Sequence, residues 1–129
     1  MPEVTSYTTG QPTWADVTSP DVAAAARFYS ELFGWQTKDT DVPGFGTYTE
    51  IDIGEGPGAG LMTQPDPSAR SAWLAYVQVP QLDPAVARAQ KLGATVVTPR
   101  TEIKDVGWFA VLVDPAGARI AVFEKAAGR

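Results

Sequence analysis

The feature that most constrains this chain is punctuation that occurs twice. Gly34 closes one helical pattern, "DVAAAARFYSELF", and Gly93 closes a second, "PAVARAQKL", 59 residues later. Each is preceded by a short strand pattern that opens on a tryptophan, Trp14 and Trp73, also 59 residues apart. Each is followed by three further strand-like runs: 35–40, 47–53 and "GAGLMT" in the first half, then "ATVVT", "WFAVLVD" and "ARIAVFE" in the second. Glycine past the last helical turn and Ser19-Pro20 or Asp83-Pro84 before the first are ordinary stop and start signals. The spacing therefore predicts two βαβββ modules, an α+β fold, over about 12–64 and 72–124, joined by the Pro- and Asp-rich "QPDPSAR". A period this long with two copies is not a solenoid. Residues 1–11 read as a loose arm and 125–129 as a tail.

The residue types that are missing narrow the chemistry. Among 129 residues there is no Cys and no His. Disulfides, thiolate nucleophiles and sulfur ligands are excluded, as are Ser-His and Cys-His catalysis. A metal would have to be held by carboxylate oxygens, which suits magnesium or calcium better than zinc, nickel or iron. A net charge of −5 argues against nucleic acid, which needs a basic face. No apolar run approaches a membrane span and no signal peptide opens the chain, so the expectation is a cytoplasmic protein with neither membrane nor nucleic-acid partners. "GEGPGAG" has the glycines of a phosphate loop but no Lys-Ser/Thr and no helix after it, and is set aside.

Side chains alternate across a strand, so in "TWADVTS" Trp14, Asp16 and Thr18 share one face while Ala15 and Val17 share the other. The small apolar pair suits packing beneath a helix. The helix pattern puts Val22, Ala25, Ala26, Tyr29, Leu32 and Phe33 near one stripe, and spacing reads Phe28, Phe33 and Trp35 as core. That leaves an indole beside a carboxylate and a hydroxyl, facing away from the core. In "TYTEIDI" the polar set Tyr48, Glu50 and Asp52 opposes Thr49, Ile51 and Ile53; which set faces inward stays open.

"FYSELFGW" after a strand and cap, with the closing "DPAGARIAVFE", resembles the vicinal oxygen chelate superfamily of glyoxalases, extradiol dioxygenases and bleomycin-resistance proteins, over residues 12–124. The resemblance implies a curved mixed sheet with helices outside and a cavity inside, and often a homodimer. It places the family's metal-ligand positions on Trp14, Leu74 (or Trp73 after a one-residue slip), Ala121, and Gly60 or Met62. None of these can bind a transition metal, so no metal and no cofactor is expected. The implied cavity is lined by Trp14, Asp16, Thr18, Leu74, Tyr76, Gln78, Ala121 and Phe123, with Met62, Glu50 and Arg119 as further candidates and Trp108 at the rim or a dimer contact. The leading expectation is a metal-independent binder of a small apolar or aromatic ligand, cationic if Asp16 recognises it, as in drug sequestration. The alternative is an acid–base isomerase, cyclase or epimerase with Asp16 as base and Tyr76 or Tyr48 as acid. A metal-dependent lyase or dioxygenase stands third.

Overall fold

The computed structural model describes residues 10, 12–42, 46–54, 57–64, 66 and 68–126; the expected arm, apart from Gly10, and the last three residues of the expected tail lie outside them. The chain resolves into two compact units that meet in sequence between Trp73 and Leu74. The first unit follows the order β1 (Pro12–Ser19), α1 (Val22–Phe33), β2 (Gln36–Val42), β3 (Gly46–Asp52) and β4 (Pro57–Thr63). Its strands lie side by side as β2-β3-β4-β1, with β1 parallel to β4 and the other pairs antiparallel. The second unit repeats the plan with β5 (Trp73–Gln78), α2 (Leu82–Lys91), β6 (Thr95–Ile103), β7 (Gly107–Val113) and β8 (Arg119–Lys125), ordered β5-β8-β7-β6. Again the first strand is parallel to the last and the remaining pairs are antiparallel. The two βαβββ modules are therefore real.

Alternation sorts each sheet into two faces. In the first unit Val17, Ile51, Ala59 and Leu61 form the buried core, and Val22, Ala25, Ala26 and Tyr29 of α1 pack on it together with Trp35 and Ile53. The helix starts later than expected. Ser19 ends the strand, and Asp21 is the cap, its carboxylate accepting from the Ala24 N–H at 3.0 Å while its own N–H donates to Ser19 Oγ at 3.1 Å. Gly34 ends α1 with φ 74°, a left-handed conformation that glycine adopts without steric cost. In the second unit α2 begins at Leu82 rather than at Pro84. Its cap residue, Gln81, makes no side-chain cap bond; instead Glu124 of β8 reaches over and accepts the Leu82 N–H at 2.7 Å. A carboxylate suits that end of the helix for the same reason a capping Asp does.

Three expectations about the core are corrected. Phe28, Leu32 and Phe33 are exposed, because α1 carries two apolar stripes and spacing alone does not say which one meets the sheet. Trp35 is half-buried and does pack on the core. The two tryptophans are not equivalent either: Trp73 donates its indole N–H to the Tyr29 hydroxyl at 3.1 Å, on the helix side of the first unit.

The turn "DPAG" between β7 and β8 is held by Asp114, whose carboxylate accepts the Ala118 and Ala116 N–H groups at 3.0 and 2.8 Å. These bonds hold its carboxyl below the ordinary Asp value. A depressed folded-state value means stability present above the unfolded pKa and lost as pH falls through the folded one. Asp114→Asn should accordingly flatten the acid limb of a stability–pH curve below about pH 4 while leaving the neutral plateau's slope unchanged. Core and surface leucines give a second check. Leu61→Ala, at a fully buried site, should cost about 2–5 kcal/mol in urea denaturation, and Leu92→Ala, at an exposed one, within about 0.5 kcal/mol.

Candidate functional site

The face of the first unit turned away from α1 carries the polar residues. Strand register sets them in two rows. Asp16, Gly60 and Glu50 are cross-strand partners in one, and Thr18, Met62 and Tyr48 in the next. Trp14 continues the face along β1. The face of β3 left open by the sequence is thereby assigned: Tyr48 and Glu50 share the face of Asp16, opposite the buried Ile51 and Thr49. Asp52 sits at a register shift, exposed, and accepts the Gly54 N–H at 2.8 Å.

Asp16 is 8% exposed, and two donors converge on one of its oxygens. The Trp14 indole N–H donates to Oδ1 at 2.6 Å, and the Tyr48 hydroxyl donates to the same atom at 2.6 Å. The indole N–H also lies 2.9 Å from the Tyr48 oxygen, closing a three-membered polar cluster. Tyr48 belongs to the neighbouring row, so its ring must cross β4 diagonally to arrive. It passes over Gly60. A Cβ there would collide with the Tyr48 ring and hydroxyl, and would also crowd Asp16 Oδ1 at 2.6 Å. Glycine at position 60 is what opens the crossing. Thr18 is tied at its N–H to the Ala72 carbonyl at 3.1 Å, and Met62 stands half-buried between Thr18 and Tyr48. Lys38 of β2 faces Glu50 in register.

The second unit repeats this lattice with different side chains. Tyr76, Ala121 and Val111 form one row; Gln78, Phe123 and Phe109 form the next. Leu74 lies two residues before Tyr76 on the same side of β5. The Tyr76 and Phe109 rings are 6.0 Å apart, and the Phe123 ring rests over Gly107, where a Cβ would meet it at 3.0 Å. Ala121 is fully buried. Gln78 is buried, donates Nε2–H to the Val79 carbonyl at 3.1 Å, and leaves Oε1 without a hydrogen-bond partner. Arg119 is exposed next to the turn.

Trp108, expected at the rim or at a dimer contact, stands apart from these rows. Its register partners are Glu102 and Glu124, so it lies on the α2 side of β7, opposite Phe109 and Val111. There the Arg100 guanidinium stacks over its ring at 4.9 Å and also pairs with Asp83 at 3.3 Å. Phe109, which the sequence does not single out, takes the site-side position.

The inferred ligand positions Trp14, Gly60, Met62, Leu74 and Ala121 all sit on these two faces. Among the described residues no group of three or more Asp or Glu side chains is placed to hold a metal ion.

The glyoxalase-like domain model matches residues 14–123, spanning every strand of both units except the ends of β1 and β8. The chain belongs to the glyoxalase-like domain family. It is 30% identical over 128 residues to the "Putative glyoxylase CFP32" of Mycobacterium tuberculosis, covering 96% of this chain and 49% of that one. It is 33% identical over 141 residues to the anthracycline biosynthesis protein DnrV of Streptomyces peucetius, covering 95% and 50%. The chain thus spans about half the length of the curated relatives it matches. The crystal structure of methylmalonyl-CoA epimerase from Mycobacterium tuberculosis shares the fold, with a TM-score of 0.67 at 17% identity over 95% of this chain and 92% of that one. The resemblance to the vicinal oxygen chelate superfamily read from "FYSELFGW" and "DPAG" holds. No helix among the described residues is long and apolar enough to cross a membrane.

Gly60→Ala tests the crossing. The added methyl should displace Tyr48 and cost about 1–3 kcal/mol in denaturant unfolding. Tyr48→Ala in the same chain should recover part of that loss, so the pair is non-additive. Equal and additive costs would mean the ring does not pass over Gly60.

Proposed function

We propose that this glyoxalase-like chain is a metal-independent small-molecule-binding protein, holding a flat aromatic ligand against the Trp14–Asp16–Tyr48 face. The observation that carries the reading is the nearly buried Asp16 carboxylate fixed by two donors on one oxygen. Those two donors fix the carboxylate in place, through one oxygen, to meet a cationic or hydrogen-donating group of a ligand. A half-buried indole and phenol beside it supply stacking and cation–π surface. On the first unit the ligand-binding residues proposed are Trp14, Asp16, Thr18, Tyr48, Glu50 and Met62; on the second unit's own corresponding face the candidates are Leu74, Tyr76, Gln78, Ala121 and Phe123. Metal independence rests on the inferred ligand positions, which carry indole, alkyl, thioether or no side chain where the metal-using members place donors. The naming of relatives for anthracycline biosynthesis supports a planar, fused aromatic ligand class.

One contact favours a second reading. Tyr48 Oη lies 2.6 Å from Asp16, an acid already beside a base, and the fold is shared with an epimerase. In that reading Asp16 takes a substrate proton and Tyr48 returns one; Tyr76, paired with Phe109 in the second unit, is the weaker candidate acid.

Titration of an anthracycline into the protein, followed by tryptophan fluorescence, separates the two. For a binder, Asp16→Asn should weaken affinity by about ten- to a hundredfold, the worth of one charge-assisted contact. Trp14→Ala should weaken it further with the fold intact by circular dichroism. For an acid–base enzyme, Asp16→Asn should spare affinity and cut turnover by about a hundredfold or more. Elemental analysis should find no stoichiometric zinc, nickel, iron or manganese. About one equivalent per chain, removed by a chelator, would overturn metal independence.

A further inference from the structure

Among the described residues one buried side-chain polar atom has no hydrogen-bond partner, the Oε1 of Gln78. Gln64 shows what a satisfied buried amide looks like in this chain. It donates Nε2–H to the Asp66 and Ala69 carbonyls at 3.1 and 2.6 Å, and its Oε1 accepts the Ser71 hydroxyl at 2.8 Å. Gln78, 8% exposed, uses only its donor half, on the Val79 carbonyl at 3.1 Å. That bond also fixes which end of the amide is which, because a turned-over Gln78 would set oxygen against oxygen. A buried acceptor left unpaired costs stability and calls for a reason. The fold does not demand an amide here, since the first unit carries Thr18 at the corresponding position.

The surroundings of Gln78 supply the reason. Its row runs through Phe123 and Phe109 to Thr101, and the next row from Tyr76 to Thr98. Neither row contains a charged side chain, whereas the matching rows of the first unit hold Asp16, Glu50 and Lys38. The half-buried Tyr76 and Phe109 rings, 6.0 Å apart, offer aromatic surface. We infer that the second unit's face binds a neutral planar aromatic molecule bearing a hydroxyl or N–H donor, and that Gln78 Oε1 is the acceptor that selects it. Turning Oε1 toward a ligand needs only rotation about the final amide torsion, whose minimum is broad. A cation gains nothing here, with no carboxylate in either row. An aromatic without a donor covers Oε1 and leaves it unpaired; one with a donor relieves a cost the unliganded protein already carries. This inference rests on the binding reading proposed above and adds the ligand class of the second face.

2-Naphthol and 2-methoxynaphthalene share a ring system and differ in the one donor, so calorimetric titration of each into the whole chain tests the inference. The unmodified protein should bind 2-naphthol about tenfold or more tighter than its methyl ether. Gln78→Met, equal in length but without the amide, should bring 2-naphthol down to the level of the ether, with circular dichroism unchanged. Phe109→Ala should weaken both probes alike, because it removes ring surface and spares the acceptor. Asp16→Asn should leave the preference intact. Equal affinities in the unmodified protein, or no binding of 2-naphthol, would overturn the inference without recourse to any variant. So would a preference that survives Gln78→Met or that Asp16→Asn abolishes. If the inference fails while Asp16→Asn still weakens anthracycline binding, the first unit's ligand reading stands; if anthracycline binding fails too, that reading falls with it.

Discussion

A ring crossing over a glycine organises the first unit's polar face. Asp16 sits between Ala15 and Val17, and Val17 commits β1's other side to the core. Its carboxylate is therefore held on the sheet's far face, largely out of water, where a charge without partners is costly. Two aromatic donors relieve that cost. Trp14, two residues back on the same side of β1, reaches forward with its indole N–H. Tyr48, two strands away, reaches it only because Gly60 has no side chain. The indole that looks misplaced beside a carboxylate is there as its donor, with an aromatic face left to line the site.

Much of this architecture is legible in the sequence, and the failures share a cause. Period-two alternation in "TWADVTS" assigns β1's faces correctly, because small apolar and polar residues strictly alternate there. "GWFAVLV" is apolar almost throughout, so alternation offers no phase, and it is register that puts Phe109 and Val111 on one side of β7 and Trp108 on the other. On α1 the apolar residues exceed one stripe, and spacing cannot say that Phe28 and Phe33 face away from the sheet. Both helix starts are displaced by two residues from their apparent signals. In the first, Ser19-Pro20 looks like a cap while Asp21 makes the cap bond. In the second, the cap comes from Glu124, distant in sequence. Cross-strand register is likewise invisible in a single strand, so nothing in "GAGLMT" announces that Gly60 stands beneath Tyr48.

The 59-residue spacing illustrates the same limit. It locates the repeat but misaligns it at the strands, because Trp14 corresponds on the sheet to Leu74, one residue beyond Trp73. Once the rows are matched by register, the divergence of the two halves becomes readable position by position. Asp16 corresponds to Tyr76, Glu50 to Val111, Thr18 to Gln78, Met62 to Phe123 and Tyr48 to Phe109. Two of these changes remove a charge (Asp16 to Tyr76, Glu50 to Val111), Tyr48 to Phe109 removes a hydroxyl, Met62 to Phe123 enlarges an apolar surface and Thr18 to Gln78 exchanges one polar group for another. The core face carries the fold, so the opposite face is free to specialise.

The last pair in that lattice decides why only one half holds the cluster. Gly60 corresponds to Ala121. Ala121, fully buried and in register with Tyr76 and Val111, carries a methyl where Gly60 has none. Phe109, the counterpart of Tyr48, also lacks the hydroxyl that could donate, and its ring meets Tyr76 at 6.0 Å as an apolar neighbour instead. The same backbone thus yields an anchored carboxylate in one half and an aromatic surface in the other. A methyl and a hydroxyl separate the two outcomes, which is why the site's chemistry follows from strand register and could not be read from the repeat.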